Sequence, residues 1–103
     1  MNLSNEFESV REWANERGLY EGGNPETQFV KLVEEIGELG RGILKEDKPE
    51  IKDGVGDAVI VLVNLAHLTG FSIEECINSA YQEIKNRKGK MQNGTFVKDE
   101  TNV

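Results

Sequence analysis

Glu34, Glu35 and Glu38 form the string EEIGE, and Asp53 and Asp57 close a later string, DGVGD. Residues four apart on an α-helix stand one above the other on one face. Glu34 and Glu38 therefore present carboxylates one turn apart, with Glu35 close enough around the cylinder to join them, and Asp53 and Asp57 repeat that separation. If the two helices run antiparallel across the short 46–49 connection, both acidic groups converge on one pocket. Carboxylates brought together repel and resist desolvation, so convergence requires protonation, basic partners or a bound cation. A hard divalent ion is the simplest remedy. Magnesium takes carboxylate and water oxygens and bridges them to substrate phosphates, where it neutralises a polyphosphate and helps to orient an attacking water. The competing reading is a solvated acidic face, because glutamate is a good helix former and charge runs often meet only water.

These carboxylates need helices to position them, and the chain supplies the signals. Phe7, Val10, Trp13 and Ala14 recur at helical spacing and predict an amphipathic helix over 4–17, ending near Gly18. LYEGGN reads as a loop. Asn24 can cap, and Pro25 can open, a second helix running to about Lys45. A third helix is expected from Pro49 or Glu50 to His67 or Leu68, apolar on almost every side of its centre and so buried between helices or across a subunit boundary. Ser72 and Glu75 fit a capping box with Phe71 just outside it, and the helix they open should extend to about Arg87. Gly89 and Gly94 interrupt the rest of the chain, where Thr95 to Lys98 could form a short extended segment or wrap over the bundle. The fold class is all-α: a four-helix bundle, completed by oligomerisation, in one domain over 1–103, with a core over 25–90 and a tail over 91–103. Gly37, Gly40, Gly42, Gly54 and Gly56 flank the acids inside these helices, each at a cost of about 1 kcal/mol relative to Ala. Close helix approach, or space kept for a ligand, would offset that cost.

Composition narrows the function further. At 103 residues the chain is near the lower end of single-domain size, where folding buries roughly 60–65% of the extended surface, so self-association would complete the core. One cysteine forms no internal disulfide, which favours a reducing, cytoplasmic setting. VGDAVIVLVNLAHL, the longest apolar stretch, is interrupted by Asp57 and Asn64 and is too short for a bilayer, so no membrane partner is expected. A formal charge of -7 opposes a nucleic-acid backbone, and no nucleic-acid partner is expected either.

EEIGE, DGVGD and the apolar AVIVLVNLA together resemble the MazG-like branch of the all-alpha nucleoside triphosphate pyrophosphohydrolases, over roughly residues 28–90. The family's EExxE motif matches Glu34, Glu35 and Glu38, and its ExxD motif places its final acid at Asp57. The sequence departs at position 54, where Gly54 stands in place of the expected acid; Asp53, one full turn before Asp57, could fill the role from a shifted position. The resemblance implies a magnesium-dependent attack by water, with manganese as a substitute, that releases nucleoside monophosphate and pyrophosphate from a nucleoside triphosphate, possible substrates including a deoxy or modified nucleotide. It implies that Glu34, Glu35, Glu38 and Asp57 hold the metal or position the water, with Asp53 as a further ligand. Asn64 stands where the family tends to have an asparagine, two turns after Asp57; its amide could orient sugar or phosphate, or satisfy a core hydrogen bond. Lys85, Arg87, Lys88 and Lys90 can meet phosphate oxygens outside the metal shell, and Asn86 can add hydrogen bonds, although the same charges would also suit a helix C-terminus and a solvated tail.

Trp13, Tyr20, Phe29 and Tyr81 could contact a base, though aromatics at helical spacing more often pack a core; Trp13 is the one retained as a substrate contact. His67 and Cys76 read as packed residues. The expected partners are a nucleoside triphosphate and further copies of the chain, as a homo-dimer or homo-tetramer. Two alternatives remain beside the enzyme: a catalytically impaired nucleotide-binding or regulatory protein, prompted by Gly54, and a helical oligomerisation module whose acidic edge only maintains solubility.

Overall fold

The computed structural model describes residues 3–100. Its first helix, α1 (Leu3–Glu16), stops where Gly18 takes the left-handed backbone, φ 74°, that glycine adopts without penalty. The segment expected as a loop then winds into one helical turn, α2 (Leu19–Gly22). That correction has a local cause: the Gly22 and Gly23 amides donate back to the Gly18 and Leu19 carbonyls, both at 2.8 Å.

Asn24 caps α3 (Pro25–Leu44) as its position predicts, its Oδ1 accepting from the Thr27 amide at 2.8 Å with Pro25 in the first turn. Glu46, at φ 55°, reverses the chain, and Asp47 caps α4 (Lys48–Leu68) by accepting from the Glu50 amide. The two long helices form an antiparallel hairpin whose register is set by two glycines. A Cβ on Gly54 would sit 3.1 Å from the Leu39 Cβ and 3.2 Å from its Cα, and one on Gly42 would sit 3.1 Å from the Glu50 Cγ. Position 39 therefore crosses 54, and 42 crosses 50.

Gly70, at φ 90°, ends the turn after α4. Ser72 opens α5 (Ile73–Ile84) with both halves of the capping box formed: the Glu75 amide donates to Ser72 Oγ at 3.1 Å, and the Ser72 amide to Glu75 Oε1 at 2.7 Å. The helix ends at Ile84 rather than near Arg87, because the chain turns at Lys85 and Asn86 toward a hairpin, β1 (Gly89–Gln92) and β2 (Thr95–Lys98). These strands pair antiparallel from Gly89 opposite Lys98 to Gln92 opposite Thr95. Asn93 and Gly94, both at positive φ, make the two-residue turn that matches strand twist.

α4 is the hub: α1, α2, α3 and α5 all pack on it, α5 at about 100° to it. Arg11 reaches from α1 to α5 and donates to both oxygens of Glu74 at 2.8 Å, while also pairing with Glu8. The buried apolar residues are small: Ala14, Ala58, Val61, Val63 and Ala66. Leu44 is 87% exposed, Phe29, Val33, Ile36 and Ile43 are exposed, and α5 buries no residue. Cys76, read as packed, lies exposed on that uncovered face. The accessible surface of 7897 Å² is roughly a third larger than a compact monomer of this mass would show. Among the described residues, no single helix is long and apolar enough to cross a bilayer.

Candidate active site

Burial separates the three glutamates of EEIGE. Glu35 lies one turn before Leu39 on the face of α3 that meets α4, and it is only 6% exposed. Its Oε1 is 3.1 Å from Lys31 Nζ, whereas its Oε2 is buried with no hydrogen-bond partner. A buried carboxylate oxygen without a partner is costly, and its remedy is a donor or a cation. Lys31 supplies part of that charge. Its ammonium is held above its ordinary pKa, first by the hydrogen bond and charge of Glu35 and then by the charges of Glu34 and Glu38. Lys31 is a functional candidate that motif reading passed over, although its place one turn before Glu35 is a readable signal.

Glu34 is exposed and faces a cleft of about 380 Å³ bounded by α1, α2, α3 and α4. Trp13, Leu19, Lys31, Glu34, Ile60 and Asn64 line it, so three of the residues singled out from sequence meet there: Trp13, Glu34 and Asn64. Asp57 stands one turn before Ile60 and Val61 on the α4 flank that faces this cleft, with Asp53 one turn earlier; Glu38 is one turn beyond Glu34 on α3. In the antiparallel register the Glu34–Glu38 and Asp57–Asp53 pairs thus run along a single flank of the helical hairpin. They share a flank but not a coordination shell. Among the described residues, no three His, Cys, Asp or Glu side chains lie close enough together to hold a metal ion.

Position 54 has little room for a side chain in this packing. Gly54 is buried against Leu39, and any side chain there would enter the α3–α4 crossing. Asp53 is the exposed acid beside it.

At the far end of the cleft, Asn64 is 2% exposed and its Oδ1 accepts from the Tyr20 hydroxyl at 2.6 Å. The Tyr20 ring stacks on His67, with centroids 3.9 Å apart and planes at 24°. Tyr20 lies on the helical turn expected as a loop, and no local sequence signal announces a bond to a residue so distant in the chain. Trp13 is 48% exposed, with the Arg17 guanidinium 4.5 Å over its ring, which leaves an aromatic surface at the cleft margin.

Lys85, Asn86, Arg87, Lys88 and Lys90 do not join this group. They are exposed on the turn after α5 and on β1, whereas the cleft is bounded by α1 to α4. A larger cleft of about 570 Å³ opens between α1, α2 and the start of α5, lined by Arg11, Asn15, Tyr20 and His67 among others. It holds none of the acidic motif, and its guanidinium is already paired with Glu8 and Glu74.

A family model described as the MazG nucleotide pyrophosphohydrolase domain matches residues 24–91 of the chain, from the cap of α3 into β1. An uncharacterised 18.2 kDa protein of the rep-hol intergenic region of Haemophilus phage HP1 is 43% identical over 60 residues, which cover 58% of this chain and 37% of that protein. The chain thus spans little more than a third of that relative's length. No solved structure matches.

Proposed function

This chain belongs to the MazG nucleotide pyrophosphohydrolase family, and from that premise we propose that it uses magnesium to hydrolyse a nucleoside triphosphate to nucleoside monophosphate and pyrophosphate. The family generally uses a divalent metal. The observation that carries the reading is Glu35: a buried carboxylate in the family's acidic motif with one oxygen unpartnered, beside the flank that bears four more acids. The donor set fits a hard cation, since every group offered is a carboxylate oxygen. Glu34, Glu35, Glu38 and Asp57, which stand too far apart in this structure to share a cation, would have to draw together to hold it, with Asp53 serving in place of the acid that position 54 lacks. When bound, the cation supplies positive charge to the phosphate oxygens and lowers the pKa of a water.

The chain's own groups account for the remaining roles. Glu34, exposed on the cleft wall, orients the attacking water and accepts its proton on a carboxylate oxygen. The water oxygen bonds to the α-phosphorus, and the bond from that phosphorus to the bridging oxygen breaks, which sends the electron pair out on pyrophosphate. Lys31 neutralises Glu35 and, on its flexible stem, has the reach to turn to a phosphate oxygen of the substrate. Trp13 offers a stacking surface to the base, and Asn64 an amide to the nucleoside. Lys85, Asn86, Arg87, Lys88 and Lys90 would reach phosphate from a neighbouring copy, in keeping with a homo-dimer or homo-tetramer that covers the exposed apolar faces.

Product analysis tests the reading. Monophosphate and pyrophosphate should appear from at least one member of a panel of ribo-, deoxy- and modified triphosphates, only with magnesium or manganese. Diphosphate and orthophosphate, or no turnover by folded protein, would overturn it. Gly54 also favours a second reading, a nucleotide-binding protein without turnover, which predicts saturable binding across the same panel and no products.

A further inference from the structure

The Tyr20–Asn64 contact bears on what the cleft can recognise. Tyr20 Oη donates to Asn64 Oδ1 at 2.6 Å, and the ring is braced by its stack on His67. Burial pushes the Tyr20 phenol above its ordinary pKa, against a smaller opposing effect of Arg11. The hydroxyl therefore remains a donor through the neutral range. A free asparagine amide can turn either its oxygen or its nitrogen toward a ligand. One whose oxygen is held by a donor has its orientation fixed, with its N–H groups turned away from that donor. Asn64 lines the same cleft as Glu34 and Trp13, and it is seven residues beyond Asp57 on α4, about 10 Å along the helix axis. That offset places it at the nucleoside end of a substrate whose phosphates meet the acids.

We propose that Tyr20 is a specificity-determining positioning residue: by holding the Asn64 oxygen, it makes the cleft present an N–H donor to an acceptor oxygen of the nucleoside, either a sugar hydroxyl or a base carbonyl. The inference rests on the reading of this cleft as the nucleotide site, and it adds a residue outside the acidic motifs. It also gives α2 a purpose, since that turn carries Tyr20 onto α4 beside Asn64 and His67.

Tyr20→Phe keeps the ring and its stack while removing the hydroxyl. With the triphosphate the wild type hydrolyses best, KM should rise roughly tenfold, about the worth of one oriented hydrogen bond, and kcat should stay within about twofold. Asn64→Ala should have a similar effect, and the double variant should lose little more than either alone. Calorimetric binding of the α,β-imido analogue of the same nucleotide, with magnesium, should weaken in parallel. Should Tyr20→Phe not fold, Asn64→Asp is the second variant: Tyr20 would hold one carboxylate oxygen, the other would face an acceptor, and analogue binding should fall roughly a hundredfold. Comparing ribo-, deoxy- and dideoxynucleotides identifies the acceptor. An effect that disappears when a hydroxyl is removed assigns the sugar; one that persists assigns the base. Wild-type KM in Tyr20→Phe, fully additive losses in the double variant, or wild-type analogue binding by Asn64→Asp would overturn the inference and leave the pyrophosphohydrolase intact. A wild type that neither binds nor hydrolyses any nucleotide would overturn both.

Discussion

Glu35 is held in a place where a charge is unwelcome, with a single exposed lysine to offset it. Lys31 is solvated, so removing Glu35's charge strands no buried cation. Glu35→Gln should therefore leave the melting temperature of the metal-free protein level or slightly raised, while turnover falls by roughly a hundredfold or more and divalent binding weakens. Thermal denaturation alongside magnesium-dependent kinetics checks both halves; a destabilised, fully active variant would contradict the assignment. Gly54 carries the opposite prediction. Restoring an acid with Gly54→Glu should not raise activity, because the side chain must enter the Leu39 contact and bring a charge into the crossing. The expected loss is about 2–4 kcal/mol of stability, measured by denaturant unfolding. The identities of all these residues were legible in the sequence, but their burial was not. Spacing places Glu34, Glu35 and Glu38 on one side of α3; only the rotation of α3 against α4 makes Glu35 the inward member.

Local chemistry made most of the helices readable. Asn24 with Pro25, and Ser72 with Glu75, act within one turn of their own positions, and both starts stand where those residues predict. The differences combine local causes with partners elsewhere. α2 is stabilised by turns around Gly18 and by Tyr20's bond to Asn64; α5 stops early because the next residues turn into a hairpin. Arg11 and Glu74 are another unsignalled pair, tying α1 to α5. The hydrogen bond from Arg11 holds the Glu74 carboxyl below the usual carboxylate range. A carboxylate whose folded pKa is depressed contributes stability above its unfolded value and loses it as pH falls through the folded one. Wild type should thus exceed Glu74→Gln in stability at neutral pH, by about 1 kcal/mol or less for a partly exposed pair, and the two should converge in acid. Paired urea titrations across that range test the convergence.

The molecule as a whole is open. A Cα radius of gyration of 16.3 Å exceeds the ~13 Å of a compact domain of this length, and its exposed apolar residues run along α3, α4 and α5. On the proposed homo-oligomer, sedimentation should give a dimer or tetramer at micromolar concentration, and Ile77→Glu on α5 should shift it toward smaller species. A monomer with unchanged behaviour in the variant would exclude this face. Small size and the apolar centre of α4 point to a shared core from sequence; which faces lack cover depends on α5 turning about 100° from α4.

That uncovered α5 has a consequence for time and dilution. A helix with no fully buried residue has little besides its cap, the Arg11 tether and the packing of its first turn to keep it wound, so its amide protons should exchange early, ahead of those in the α3–α4 hairpin. If association protects it, that exchange rate becomes a gauge of concentration: slow in a crowded solution, fast in a dilute one, while the acidic flank on the hairpin keeps its protection throughout.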